Sequence, residues 1–523
     1  MRNLTFTRRR ILGAGAAAGL MSVAGLRIAA AQGADRHTLK IGMSGFPPAV
    51  EPALYVHTAT RRIAPQMFDT LIAFEQNESM ALRPALAERW ERIDGKALRL
   101  FLRKGVTFHD GSPFTSADVA FSLSPEHLLG PGKSGKSTAM QTLDTIARVD
   151  IIDEHTVIVY AKNDDALLEK RLASWGAEIV SKSAFDAAGS WDKWISAPIG
   201  TGPYRIVRQK LDVNVILASH DHYWGGHPPF AGIEFRVIPE LASRVNALSV
   251  GEVDFITDVS PDTFAEIAKK TNLEVAGGAV QNIRFLTIDK TDPILSKVGV
   301  RRALSLALDR KTFVEALWQD RVPVPNGFQF PSFGDGYIKD FPALAYDPDL
   351  ARQLLKEAGY NGETITYKLL NDYYPNQLIG AQTMIEMWRA VGLKVEIQMM
   401  ENFGQVQTKP VHAIYDSSST AIFPDILAHA WREFGPSGTS PQVGIWSNQE
   451  FFDLGSKLKA TADAQARRVL VRRMLEIIDR DDPPCIILHG SGQFYGKRKD
   501  LAWIPGQTLD LNFGPFNPAY SKT

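Results

Sequence analysis

Leu98, Leu100 and Leu102 alternate with Arg99, Phe101 and Arg103, the period-two pattern of a strand that buries one face. Lys104-Gly105 turns the chain, Val106 and Phe108 begin a second short strand, and Asp110-Gly111 supplies what a tight turn needs at positive φ. Thr115 then caps a helix through Val119, Ala120 and Phe121, with Asp118 placed to reach back as a capping box. Leu86 to Trp90, ahead of the stretch, reads as a helix end. A first strand is predicted over 38–43, followed by a proline-bearing loop and a helix through Phe68 to Phe74. Val149 to Tyr160 reads as two strands about the turn Asp153-Glu154-His155. Later the pattern becomes helical. Val300, Ala303, Leu304, Ala307 and Leu308 share a face, Asp347-Pro348 opens a helix that Gly359 stops, and Leu378 to Val391 precedes an alternating Leu393, Val395, Ile397 and Met399. A last helix over 464–480 runs into an apolar strand holding Cys485. Helix followed by strand, repeated, predicts an α/β protein with much parallel pairing.

The first residues change this picture only locally. Thr7-Arg8-Arg9-Arg10-Ile11-Leu12 resembles a twin-arginine export signal, and the Ala/Gly-rich run behind it ends at Ala29-Ala30-Ala31. The run is short and weakly apolar, which fits a cleaved signal better than a membrane span of ~20 residues. Cleavage there removes five arginines and no acid, leaving 53 basic against 58 acidic side chains. Such a balance gives no reason to expect a nucleic-acid partner. A chain of 523 residues has room for roughly three domains. Its single cysteine, Cys485, forbids an internal disulfide, and cores of this size do without one.

Candidate chemistry is sparse. Gly130-Pro131-Gly132-Lys133-Ser134-Gly135-Lys136-Ser137 matches a phosphate-loop pattern by letter, but no buried strand leads into it, so it reads as a solvated loop. His220, His222 and His227 have a plausible metal spacing in a polar hairpin, with no partner to orient them, so no resident metal or cofactor is predicted. An exported hydrolase would need a nucleophile elbow or a metal triad, and neither G-x-S-x-G nor H-E-x-x-H occurs. A metal or nickel receptor is the other rival.

Taken together, the strand, turn, Asp-Gly and capped helix of residues 86–123, Gly200-Thr201-Gly202-Pro203-Tyr204, Tyr223-Trp224, Gly251-Glu252-Val253-Asp254 and Asp309-Arg310 resemble the family 5 extracellular solute-binding proteins of ABC importers, which take peptides, nickel or opines. The resemblance implies a two-lobed periplasmic-binding fold with an additional third domain. The first lobe would be discontinuous over 35–67, 182–284 and 490–523, the extra domain would span 68–181 and stand aside, and the other lobe would span 285–489, all after a signal over 1–31. It implies a periplasmic, monomeric receptor with no enzymatic activity that hands a small solute to a membrane permease and its ATPase. Glu51-Pro52 stands where the family usually has Asp-Pro.

Ligand-facing positions implied by the resemblance are His57 and Thr58 in one lobe, and Ser418, Ser419, Thr420 and Ile422 in the other. Trp431, Arg432 and Trp446 are further candidates to stack or pair. Where peptide binders of the family place an aspartate that pairs with the ligand ammonium, this chain has Ile422. Unless the pattern is shifted by a residue or two, either Asp416 substitutes or the ligand has no free amine. The second reading is favoured, because an unpaired cation in a dry cleft costs several kcal/mol.

Overall fold

A computed structural model describes residues 36–520, apart from 48, 55–57, 76–78, 134–138, 211–212 and 371–372 and the side chain of 141. The export signal read at 1–31, His57 and the second half of the phosphate-loop look-alike lie outside the described residues.

A ten-stranded mixed sheet organises residues 37–520. Its order is Lys394–Met400, Thr364–Leu370, Ile414–Thr420, Leu273–Ile288, Cys485–Arg498, Phe255–Ile256, Thr38–Met43, Gly232–Val237, Asn214–Ser219 and Tyr204–Lys210. Thr38–Met43 pairs in parallel with both of its neighbours, and so does Thr364–Leu370. The parallel pairing predicted from alternating helices and strands therefore exists in both halves of the sheet, while the Gly232–Val237, Asn214–Ser219 and Tyr204–Lys210 end is antiparallel. Between the two parallel regions the two longest strands, Leu273–Ile288 and Cys485–Arg498, run antiparallel as a ribbon. One lobe has its core around Ile41, Tyr204, Phe235 and Phe255. The other packs Leu304, Tyr367 and Trp388 on one side of the sheet and Phe285, Phe328 and Phe434 on the other.

Ala87–Arg92, Ala97–Leu102, Thr156–Ala161 and Ile146–Asp153 form a separate antiparallel sheet, in that order, over a core of its own that includes Leu98, Leu100 and Val159. The capped helix is Ser116–Ser122, and both hydrogen bonds of the Thr115/Asp118 capping box are present. Three local expectations are corrected. Leu86 to Trp90 is not a helix end, because Ala87–Arg92 is an edge strand whose charged face imitates a helix surface. The helix placed at Phe68 to Phe74 is Thr58–Met67, and Ile72–Phe74 is a strand; Arg61, Arg62 and Gln66 are buried in that helix and hide its apolar period. Val106 to Phe108 makes only an isolated bridge, Thr107 to Pro113.

The stretch assigned to the extra domain also packs against the lobe that follows it. Leu167 and Trp175 are part of the same apolar cluster as Phe285 and Phe423 of the adjacent lobe. Two of the sequence landmarks, Gly200 to Tyr204 and Tyr223-Trp224, converge on Asp69, which accepts hydrogen bonds from Thr201 Oγ1, Tyr223 OH and Trp224 Nε1, each at 2.9 Å. Cys485 is buried, and burial pushes its thiol pKa well up, the state of an inert packing residue. No helix among the described residues is long and apolar enough to cross a membrane.

Candidate functional site

The two long strands connect the lobes, and their pairing breaks between Ala279 and Ile283, opposite Gly492 and Gly490. Gly277 holds φ +101° there, where a β-carbon would collide with the Gln493 carbonyl. Polar side chains gather at the break. Asn282 Nδ2 donates to Thr420 Oγ1 at 2.7 Å, and Ser491 Oγ donates to Asn282 Oδ1 at 2.5 Å.

Each end of this strip carries an arginine–aspartate pair. On the first-lobe side, Arg62 makes two bonds to Asp258, at 2.8 and 2.5 Å, and reaches Gln493 at 3.4 Å. Asp258 also accepts from Ser44 and sits at φ +58°, a strained angle for a non-glycine residue of the kind that collects at binding sites. Burial alone would raise its carboxyl pKa, but the Arg62 guanidinium outweighs burial and holds it well below the usual range. On the other side, Arg284 Nη2 donates to Asp416 Oδ1 at 2.7 Å, while Tyr367 OH and Gln377 Nε2 donate to Asp416 Oδ2 at 2.6 and 3.1 Å. The Arg284 guanidinium carbon lies 3.1 Å from the centre of the Tyr374 ring, whose hydroxyl is 3.4 Å from Ser418 Oγ.

These contacts divide the residues expected from sequence. Side chains alternate along Ile414–Thr420, so Asp416, Ser418 and Thr420 share the face that carries Arg284. Ser419 points the opposite way and donates to Glu433 Oε1 at 3.0 Å, with Arg432 Nη2 3.3 Å from its hydroxyl. Trp431 and Arg432 line a cavity on that opposite side. Ile422 faces a crevice with Arg61, Trp175, Glu178 and Asp510, where Arg61 bonds Glu178 and Asp510 at 2.6 Å each. Thr58 is the first residue of the Thr58–Met67 helix.

Two expectations need correction. Trp446 is 2 % exposed, donates to the Asp482 carbonyl at 2.9 Å and packs against Phe434 and Phe451, so its ring is core and not free to stack on a ligand. Asp416 is not a spare acid, because its oxygens are taken by Arg284, Tyr367 and Gln377. Of the three histidines, His220 is buried against the Gly202 carbonyl and the His109 ring, while His222 and His227 are exposed. The sequence reading missed Arg61, Arg62, Asp258, Arg284 and Tyr374. An arginine inside the apolar strand Asn282–Ile288, and the Arg61-Arg62 doublet in a helix, were the available signals, since arginine is rarely buried unless paired.

Two lobes sharing one sheet, joined by a strand ribbon with a polar strip across it, define a two-lobed binding protein of the periplasmic type. The sequence profile of the bacterial extracellular solute-binding proteins, family 5 (middle region), matches residues 81–440, and the chain belongs to that family. It is 26% identical over 494 residues to the dipeptide-binding protein of Escherichia coli (strain K12), covering 89% of this chain and 91% of that one. Its fold superposes on NikZ from Campylobacter jejuni in complex with Ni(L-His) with a TM-score of 0.80 at 20% identity, over 92% of this chain and 99% of that one. It superposes on AgaA from A. tumefaciens R10 in complex with agropinic acid with a TM-score of 0.74 at 24% identity, over 90% and 95% of the two chains. The family consists of solute-binding proteins and not of enzymes.

Proposed function

We propose that this protein is the exported, periplasmic receptor of an ABC importer, delivered through the twin-arginine route. It captures a peptide-like solute whose amine is blocked or absent, as in opine-like or sugar-conjugated molecules, and passes it to the permease and ATPase as a monomer. One observation carries the choice of solute. Four carboxylates around the expected ligand strand already have guanidinium partners: Asp416 with Arg284, Asp258 with Arg62, and Glu178 and Asp510 with Arg61. An ammonium drawn to any of these four carboxylates would have to break a pair, and Asp69, which lines the crevice beside Ile422, already accepts from Thr201, Tyr223 and Trp224. Buried pairs resist this, because the abandoned charge is left desolvated. A solute offering carbonyl, hydroxyl and carboxylate oxygens meets donors at the same place. Arg284 Nη1 is buried without a hydrogen-bond partner among the described residues, and Ser418 and Thr420 on the same face add hydroxyls. Main-chain groups on both sides supply further contacts that tolerate varied side chains.

The test is calorimetric titration of dipeptides against their N-acetylated forms. The account predicts that acetylation preserves or improves affinity. A loss of about tenfold or more on acetylation would contradict it and point to ammonium recognition.

A further inference from the structure

Ser419 and its neighbours look away from the ribbon strip toward a cavity of about 770 Å³. Its walls come from two bodies. Met140, Asp144 and Arg171 belong to the extra domain, and Trp431, Arg432 and Lys459 to the adjacent lobe. Beside it the two bodies are tied together, with Ala166 N donating to the Lys459 carbonyl and Lys170 Nζ to the Pro424 carbonyl, each at 2.8 Å.

The lining is prepared rather than incidental. The Trp431 indole lies against the helix Gln449–Ala460 at Gly455, where a β-carbon would overlap the ring. Glycine weakens a helix interior, so the helix gives up stability to hold that indole in place. Lys459 Nζ stands 5.1 Å over the ring. It makes no direct hydrogen bond or ion pair among the described residues; burial lowers its pKa, against the pull of the Asp144 carboxylate on the opposite wall. Arg171 is fixed by Asp165 at 2.7 Å and the Thr142 carbonyl at 2.8 Å. Arg432 has only 3.3 Å contacts, to Ser419 and Glu433. An aromatic wall beside an ammonium that makes no direct ion pair is complementary to a carboxylate carried on a flat or apolar body.

We propose that this cavity is a second binding site, separate from the strip between the lobes, for a small organic carboxylate whose anion rests on Lys459 and whose apolar body rests on Trp431. Since its walls belong to the extra domain and to one lobe, a ligand held there favours the arrangement in which the two are in contact.

The probe is N-acetyl-para-bromophenylalanine, with its carboxamide as the neutral control, titrated into the intact exported protein and then soaked into crystals. The acid should bind about tenfold or more tightly than the amide, and the anomalous bromine signal should lie between the extra domain and Trp431. Lys459→Met keeps the aliphatic stem and should abolish the difference between acid and amide, while Trp431→Phe should weaken both probes together. Equal affinity of acid and amide, no effect of Lys459→Met, bromine found only beside the ribbon strip, or failure of the acid to bind would each overturn the proposal.

Discussion

Arg284 and Asp416 show how single residues at the strip depend on one another. Arg284 is 8 % and Asp416 6 % exposed, so each charge is tolerated because the other is there. Breaking such a pair leaves an uncompensated buried charge and costs about 3–5 kcal/mol, whereas removing both partners is close to neutral. Arg284→Met should therefore lower the free energy of unfolding by about that amount in urea titrations, and adding Asp416→Asn, which removes the charge but keeps an acceptor for Tyr367 and Gln377, should restore most of it. At this scale the sequence was only partly legible. Asp416 and Ser418 stood out by their place in a recognisable stretch, but what Asp416 binds depends on Arg284, Tyr367 and Gln377, which lie far from it along the chain. No local pattern shows that an acid is already satisfied. Trp446 fails for the same reason, since a tryptophan near a ligand strand looks identical in sequence whether it faces a cleft or the core.

Elements with strong periodicity and caps were readable. The helix Pro348–Glu357, capped by Asp347, and the strand Lys394–Met400 lie where their patterns put them. The misread elements are those whose surroundings override the pattern, such as the helix Thr58–Met67 with its buried arginines and the charged edge strand Ala87–Arg92. A further link between elements was hidden in Glu51-Pro52. Glu51 Oε1 meets His127 Nε2 at 2.8 Å with both side chains wholly buried, and His127 Nδ1 is 2.9 Å from the Ser122 carbonyl. The loop leading to the Thr58–Met67 helix is thereby fastened to the extra domain. Burial alone would lower the His127 pKa, but the Glu51 carboxylate prevails and raises it above the ordinary 6.5. A raised folded-state pKa gives stability that is fully present below pH 6.5 and is lost as pH rises through the folded value. His109, His429 and His489 act in the opposite direction, pushed down by burial to about 3, about 3 and about 4. Each keeps a neutral ring that the unfolded chain protonates first, so stability falls as pH drops below 6.5. Denaturation across pH should show stability declining on both sides of this value, and His127→Gln should flatten the alkaline side only. An alkaline decline that persists unchanged in that variant would contradict the ion pair.

For the whole molecule, the two-lobed fold class and the family were legible because several separate landmarks occur in order along the chain. The close packing of the extra domain on the adjacent lobe was not, since it rests on Leu167, Trp175 and Lys170 meeting residues some 250 positions later. Carboxylates already paired with arginines are closed to a ligand ammonium, and Ile422 adds none. Native mass spectrometry of the protein purified gently from an export-competent host, followed by denaturation and identification of the released solute, tests this most directly. The account predicts an amine-blocked or amine-free molecule in one-to-one complex. Release of ordinary peptides with free amino termini would contradict it.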